Sequence, residues 1–158
     1  MSLPSPSKII YYFIQSSLDG TVLDVSGANP AAGTTVQTYP RKESGTDNQL
    51  WYFAKNDDGK YFIMSKLNNM VLDVKGGSAD PGTPIIMYPR KPSNHSNQLW
   101  DVETHASEIY ISSALGNNLV IDIKGAGSNA PIIVYPKKDY SNDNQQWRLL
   151  EAEVVGQL

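Results

Sequence analysis

The stretch Asn48-Gln49-Leu50-Trp51 returns as Asn97-Gln98-Leu99-Trp100 and again as Asn144-Gln145-Gln146-Trp147. Outward from each tryptophan the neighbourhood repeats as well. The segments Phe13 to Phe53, Phe62 to Val102 and Tyr110 to Leu150 read alike, and Asp24, Asp73 and Asp122 stand 49 residues apart each time. The tryptophans are spaced 49 and then 47 apart. A period near 50 is the signature of a repeat architecture, with one small structural unit per copy.

Each unit reads as short strands separated by turns. Tyr12-Phe13-Ile14, Val71-Leu72-Asp73-Val74 and Ile85-Ile86-Met87-Tyr88 are strand-sized apolar and β-branched runs. Leu18-Asp19-Gly20, Asn56-Asp57-Asp58-Gly59 and Gly76-Gly77-Ser78 between them carry turn residues. No window shows the i, i+3, i+4 apolar stripe of a helix. The chain is therefore expected to be all-β, with about four strands per unit and about twelve in all. A stacked array of three units needs atypical end caps. Here the outer units are as regular as the middle one, so the copies are expected to close on themselves and leave no free sheet edge. A β-trefoil with pseudo-threefold symmetry satisfies this, with each tryptophan buried near the axis. The 158 residues are read as one domain, with repeats at about 9–57, 58–105 and 106–152 and a short C-terminal tail at 153–158, either disordered or docked on a partner subunit.

Composition removes several functions. There are no cysteines, which excludes disulfides, thiol nucleophiles and zinc fingers. The net charge of -3 is mixed in sign, which argues against nucleic-acid partners. The longest apolar run, Ile9 to Ile14, is too short for a membrane span or a signal-peptide core. A cytoplasmic, reducing location is the expectation. His95 and His105 have no second ligand at metal spacing, and no carboxylate pair stands as acid and base, so no cofactor and no enzymatic activity are expected.

Aligned on the aspartates, each unit supplies a carboxylate, an aromatic and an amide pair. Asp24 is followed by Tyr39, Asn48 and Gln49; Asp73 by Tyr88, Asn97 and Gln98 at the same offsets. Asp122 leads to Tyr135, Asn144 and Gln145, each two residues early. These are the residue types a neutral sugar needs. The carboxylate accepts from two neighbouring hydroxyls, the asparagine both donates and accepts, and the tyrosine ring covers the C–H face. The plainer reading makes the aspartates turn formers, the glutamines structural and the tryptophans core.

The three Gln-x-Trp elements, each with its upstream Asp and aromatic, resemble the ricin B-type lectin family, across nearly the whole chain. The resemblance implies a β-trefoil with three sugar pockets. Carried over by position, these are Asp24, Tyr39, Asn48 and Gln49; Asp73, Tyr88, Asn97 and Gln98; and Asp122, Tyr135, Asn144 and Gln145. The lack of cysteines and of a signal peptide is similar to small cytoplasmic fungal lectins. Galactose- or N-acetylgalactosamine-terminated glycans are the implied partners, bound multivalently and without catalysis; a homodimer is an open possibility. Gln37 lies two before Tyr39 and hence on the same side of its strand, where the other units carry Ile86 and Ile133, so the first pocket is expected to be more polar. The third unit lacks two residues between Asp122 and Tyr135, which shortens the loop flanking its pocket. The doublets Arg41-Lys42, Arg90-Lys91 and Lys137-Lys138 are read as solvated loop charge, or else as contacts to outer or acidic sugars. The rival from another class is a trefoil protease inhibitor, yet no unit carries a distinctive long loop.

Overall fold

In the computed structural model, which describes residues 8–156, twelve strands follow one another with only single 3-10 turns between some of them. They are β1 (Lys8–Ser16), β2 (Val22–Val25), β3 (Val36–Tyr39), β4 (Trp51–Lys55), β5 (Tyr61–Ser65), β6 (Val71–Val74), β7 (Ile85–Tyr88), β8 (Trp100–His105), β9 (Glu108–Ser113), β10 (Leu119–Ile123), β11 (Ile132–Pro136) and β12 (Trp147–Gly156). The all-β expectation and the strand count both hold.

Six strands close into a barrel. β1 pairs with β4, β4 with β5, β5 with β8, β8 with β9, β9 with β12, and β12 returns to β1, antiparallel at every step. The remaining six form three hairpins, β2–β3, β6–β7 and β10–β11, each attached to the barrel through one residue pair: Gln15 with Val22, Met64 with Val71, and Ser112 with Val120. The hairpins touch one another in a ring through Thr35–Ile86, Pro84–Ile133 and Gln37–Pro131. This is a β-trefoil. Closure pairs the barrel strands that an open array would leave bare.

The repeated tryptophans set the junctions. Trp51, Trp100 and Trp147 each begin a barrel strand and face Tyr12, Tyr61 and Ile109 on the neighbouring one. All three are fully buried in one core cluster. Each indole N–H donates at 3.2 Å to a carbonyl in its own unit's hairpin, at Leu23, Leu72 and Ile121. One side chain thus contributes the largest apolar area in its unit and also fastens hairpin to barrel.

The tail is a correction. Residues 153–156, expected to be free or docked on a partner, belong to β12 and pair with Lys8 to Tyr11. Val154 and Val155 suit an extended backbone, and Ile10 and Ile9 lie opposite them. Gln157 and Leu158 lie outside the described residues.

Candidate carbohydrate site

Each site begins on the first strand of a hairpin. In β2, Leu23 and Val25 enter the core, so the period of two turns Asp24 to the opposite face. β6 and β10 do the same with Asp73 and Asp122. Hairpin register then decides what surrounds each carboxylate. Directly across from the three aspartates stand Gln37, Ile86 and Ile133. Two residues further on, on the same face, come Tyr39, Tyr88 and Tyr135, which are 38–44% exposed. The aspartates are only 2–4% exposed.

The amides arrive from the 3-10 turn before each tryptophan. Gln98 Nε2 donates to Asp73 Oδ2 at 2.9 Å and to the Pro89 carbonyl at 3.0 Å. Asn97 Nδ2 donates to Asp73 Oδ1 and to the Val74 carbonyl, both at 3.2 Å. The third unit repeats these contacts with Gln145, Asn144 and Asp122. In the first unit Gln49 again donates to Asp24 and Asn48 to Val25, while Gln37 Nε2 supplies the bond to Asp24 Oδ1 at 3.2 Å.

Gln49, Gln98 and Gln145, carried over as pocket residues by the resemblance although structural on the plainer reading, are fully buried behind the aspartates and do not line the first or second cavity. Asn97 and Asn144 have both amide hydrogens committed to protein acceptors, so they have none left to donate to a sugar.

The lysine three residues after each tyrosine was the residue missed. Lys42, Lys91 and Lys138 donate through Nζ to the asparagine Oδ1 at 2.8, 2.8 and 2.9 Å. Their backbone N–H groups cap the glutamine Oε1 at 2.9–3.0 Å. Each lysine thereby occupies both amide oxygens, which turns both amide nitrogens toward the hairpin and its aspartate. The doublets are not loose loop charge. Their first members lie over aromatic rings instead, Arg41 on Phe13, Arg90 on Phe62 and Lys137 on Tyr110. The fixed Tyr-Pro-basic-Lys spacing was the available signal.

Burial lifts the Asp73 and Asp122 carboxyls above the usual aspartate range. The glutamine hydrogen bond, the lysine charge and the asparagine hydrogen bond oppose that shift.

The three cavities differ. The second, about 680 Å³, brings together Asp73, Tyr88, Asn97, Ile86 and Lys91, with Gly76, Gly77 and Leu115 around them. The first, about 370 Å³, is lined by Asp24, Gln37, Tyr39, Asn48 and Lys42, together with Asn129 from the third unit. In the third unit Asn144 borders a cavity of about 440 Å³ with Leu18, Gly125 and Ala126, while Asp122 and Tyr135 do not line it. The loop between Asp122 and Tyr135 is two residues shorter there than in the other units. Among the described residues no group of acidic and histidine side chains is placed to hold a metal, and no helix is long and apolar enough to cross a membrane.

A closed barrel capped by three hairpins, each holding a carboxylate beside an exposed tyrosine, defines the trefoil proteins of lectin type. The family model described as ricin-type beta-trefoil lectin domain-like matches residues 4–88, and the chain belongs to that family. A search of curated proteins returns no match. Among solved structures the chain is similar to ThreeFoil, a designed threefold-symmetric protein, at 28% identity and a TM-score of 0.81, covering 90% of this chain and 99% of that one. It is similar to the C-terminal half of an earthworm R-type lectin in complex with GalNAc, at 26% identity and a TM-score of 0.70, covering 94% and 100%. The Macrolepiota procera ricin B-like lectin, crystallised with lactose, shares the fold at 19% identity and a TM-score of 0.72, covering 96% and 100%.

Proposed function

We propose that the protein is a non-enzymatic lectin that binds galactose- or N-acetylgalactosamine-type glycans through up to three pockets, with the first and second as its principal sites. The observation that carries this reading is the buried carboxylate held by side-chain amides on one side and facing a cavity, an exposed tyrosine and a lysine ammonium on the other. A pair of sugar hydroxyls can donate to the unused lone pairs of Asp24 or Asp73. The lysine ammonium, with donors to spare after its one bond to asparagine, serves a sugar oxygen in place of the saturated amide. The tyrosine ring covers the apolar C–H face. An earthworm relative crystallised with GalNAc supports the sugar class.

Two or three weak pockets on one rigid body raise avidity by roughly 10²–10⁴ on a clustered glycan surface, so agglutination is the expected activity. The test is a glycan panel screened with the wild-type chain beside the triple variant Asp24→Ala, Asp73→Ala, Asp122→Ala. Binding of galactose- or GalNAc-terminated glycans that the folded triple variant loses supports the reading. Equal binding by both proteins, or none by either, defeats it and makes protease inhibition the next assay.

A further inference from the structure

The first pocket differs from the others in a way its own unit does not explain. In every unit, the loop between hairpin strands reaches across to the second hairpin strand of a neighbour. Gly33 of the first unit donates its N–H to Met87 at 2.7 Å, and Gly82 of the second donates to Val134 at 2.8 Å. In the third unit the residue making this contact is Asn129, whose N–H donates to the Thr38 carbonyl at 2.7 Å. All three sit at positive φ, +87°, +87° and +61°. Asparagine tolerates that region, so the position accepts a side chain where the two other loops carry none.

The loop that carries Asn129 is also tied to the first unit by contacts that its counterparts do not make. Thr38 Oγ1 donates to the Gly127 carbonyl at 2.5 Å and accepts from the Ala130 N–H at 3.0 Å. The equivalent residues, Met87 and Val134, have no hydroxyl to do this. Gly127 N–H additionally donates to Asp19 Oδ2 at 2.8 Å. Asn129 is thus held on the rim of a pocket whose facing wall is Gln37. Among the described residues its carboxamide has no side-chain partner, so its donor and its acceptor are both free.

Resting on the lectin reading, we infer that the first pocket is a composite site, in which Asn129 reads the acetamido group of an N-acetylated sugar. The acetamido group is a trans amide whose carbonyl and N–H point apart, so a carboxamide on the rim makes one direct hydrogen bond to it, donating to a carbonyl that projects further from the sugar ring than a hydroxyl does. The second pocket has almost twice the volume, and the loop that reaches it from the first unit carries Gly33 at the place of Asn129; its own unit contributes Asn94 and Ser96 at a different part of the rim.

The test uses two variants with one principal pocket each, titrated calorimetrically with methyl galactoside and its 2-acetamido counterpart. Asp73→Ala with Asp122→Ala leaves the first pocket; Asp24→Ala with Asp122→Ala leaves the second. The first pocket is expected to prefer the acetamido sugar about fivefold more than the second does, the worth of one ordinary hydrogen bond. Asn129→Gly, which installs the residue of the two sister loops, removes that preference. Equal preference in the two pockets, or a preference that survives Asn129→Gly, overturns the inference and leaves the lectin reading intact. Failure of the wild-type chain to bind either sugar overturns both.

Discussion

Lys91 Nζ donates to Asn97 Oδ1 at 2.8 Å, and this contact fixes which way the asparagine points. With its oxygen occupied, the amide must turn its nitrogen to Asp73 and the Val74 carbonyl. The same lysine caps the Gln98 oxygen through its backbone N–H. One residue therefore orients two amides, and through them the carboxylate.

Replacing this lysine separates orientation from packing. Lys91→Met keeps most of the aliphatic stem and removes the ammonium, so Asn97 is free to flip and the pocket loses its remaining strong donor. A hydrogen bond to a charged group is worth about 1.5–3 kcal/mol, so affinity at the second pocket is expected to fall tenfold or more. Calorimetric titration of the variant that retains only this pocket measures it. The melting temperature should move little, because Lys91 is only partly buried and its backbone N–H still caps Gln98 in the variant. Unchanged affinity would show that the lysine plays no part in binding.

Acid should weaken sugar binding at the second pocket earlier than at an ordinary aspartate. Burial holds the Asp73 carboxyl above its usual value of 3.8, and a protonated acid loses acceptor capacity toward two sugar hydroxyls. Stability responds in the opposite direction. Because the folded-state value is raised, the neutral acid favours folding; that contribution is complete below the unfolded value and is lost as pH rises through the folded one. The same holds for Asp122. Titrations of affinity and of melting temperature between about pH 3 and pH 7 separate the two effects. Affinity that persists unchanged below 3.8 would contradict the raised carboxyl.

Much of this architecture is legible in the sequence because it is repeated. Trp51, Trp100 and Trp147 recur at matched spacing, which marks a structural demand that three turns alone would not impose, and the core bears it out. The aspartates and tyrosines share a hairpin face, as period-two strands require. What escaped is side-chain direction. Nothing in Asn-Gln-x-Trp says that the glutamine turns inward behind the aspartate or that the asparagine is saturated, since both depend on lysines reached over a loop. Asn129 escaped for a different reason. It lies 81 positions beyond Asn48, and only closure of the three units brings it to the first pocket. The tail reading fails because the partner of Glu153 to Gly156 is Lys8 to Tyr11, at the opposite end of the chain.

The tryptophan junction predicts a stability effect independent of ligand. Trp100→Phe retains much of the buried ring but breaks the indole bond to the Leu72 carbonyl and leaves a void in the core. The lost hydrogen bond and the void together are expected to cost about 2–4 kcal/mol, read from urea unfolding followed by circular dichroism. Because the bond runs between barrel and hairpin, amide exchange should accelerate most in β6 and β7. A cost below about 0.5 kcal/mol would mean that the indole N–H does not fasten the hairpin.

Thr38→Val tests the junction between the first and third units. The substitution preserves a β-branched side chain in β3 and removes the hydroxyl that bridges the Gly127 carbonyl and the Ala130 N–H. Ala130 is buried, so its amide is left without that partner, and a loss of about 1–3 kcal/mol follows. Val134 already occupies the matching place in the third unit, where the facing loop is two residues longer and meets it through backbone bonds, Gly82 N–H to the Val134 carbonyl and Val134 N–H to the Thr83 carbonyl. The shorter loop has instead the threonine hydroxyl at Gly127 and Ala130, beside the Asp19 carboxylate at the Gly127 N–H. Hydrogen exchange at the Ala130 amide should therefore rise steeply in the variant, while exchange in the Gly33 and Gly82 loops stays as in wild type. Uniform acceleration in all three loops would show that the threonine acts on the whole cap rather than on this one junction.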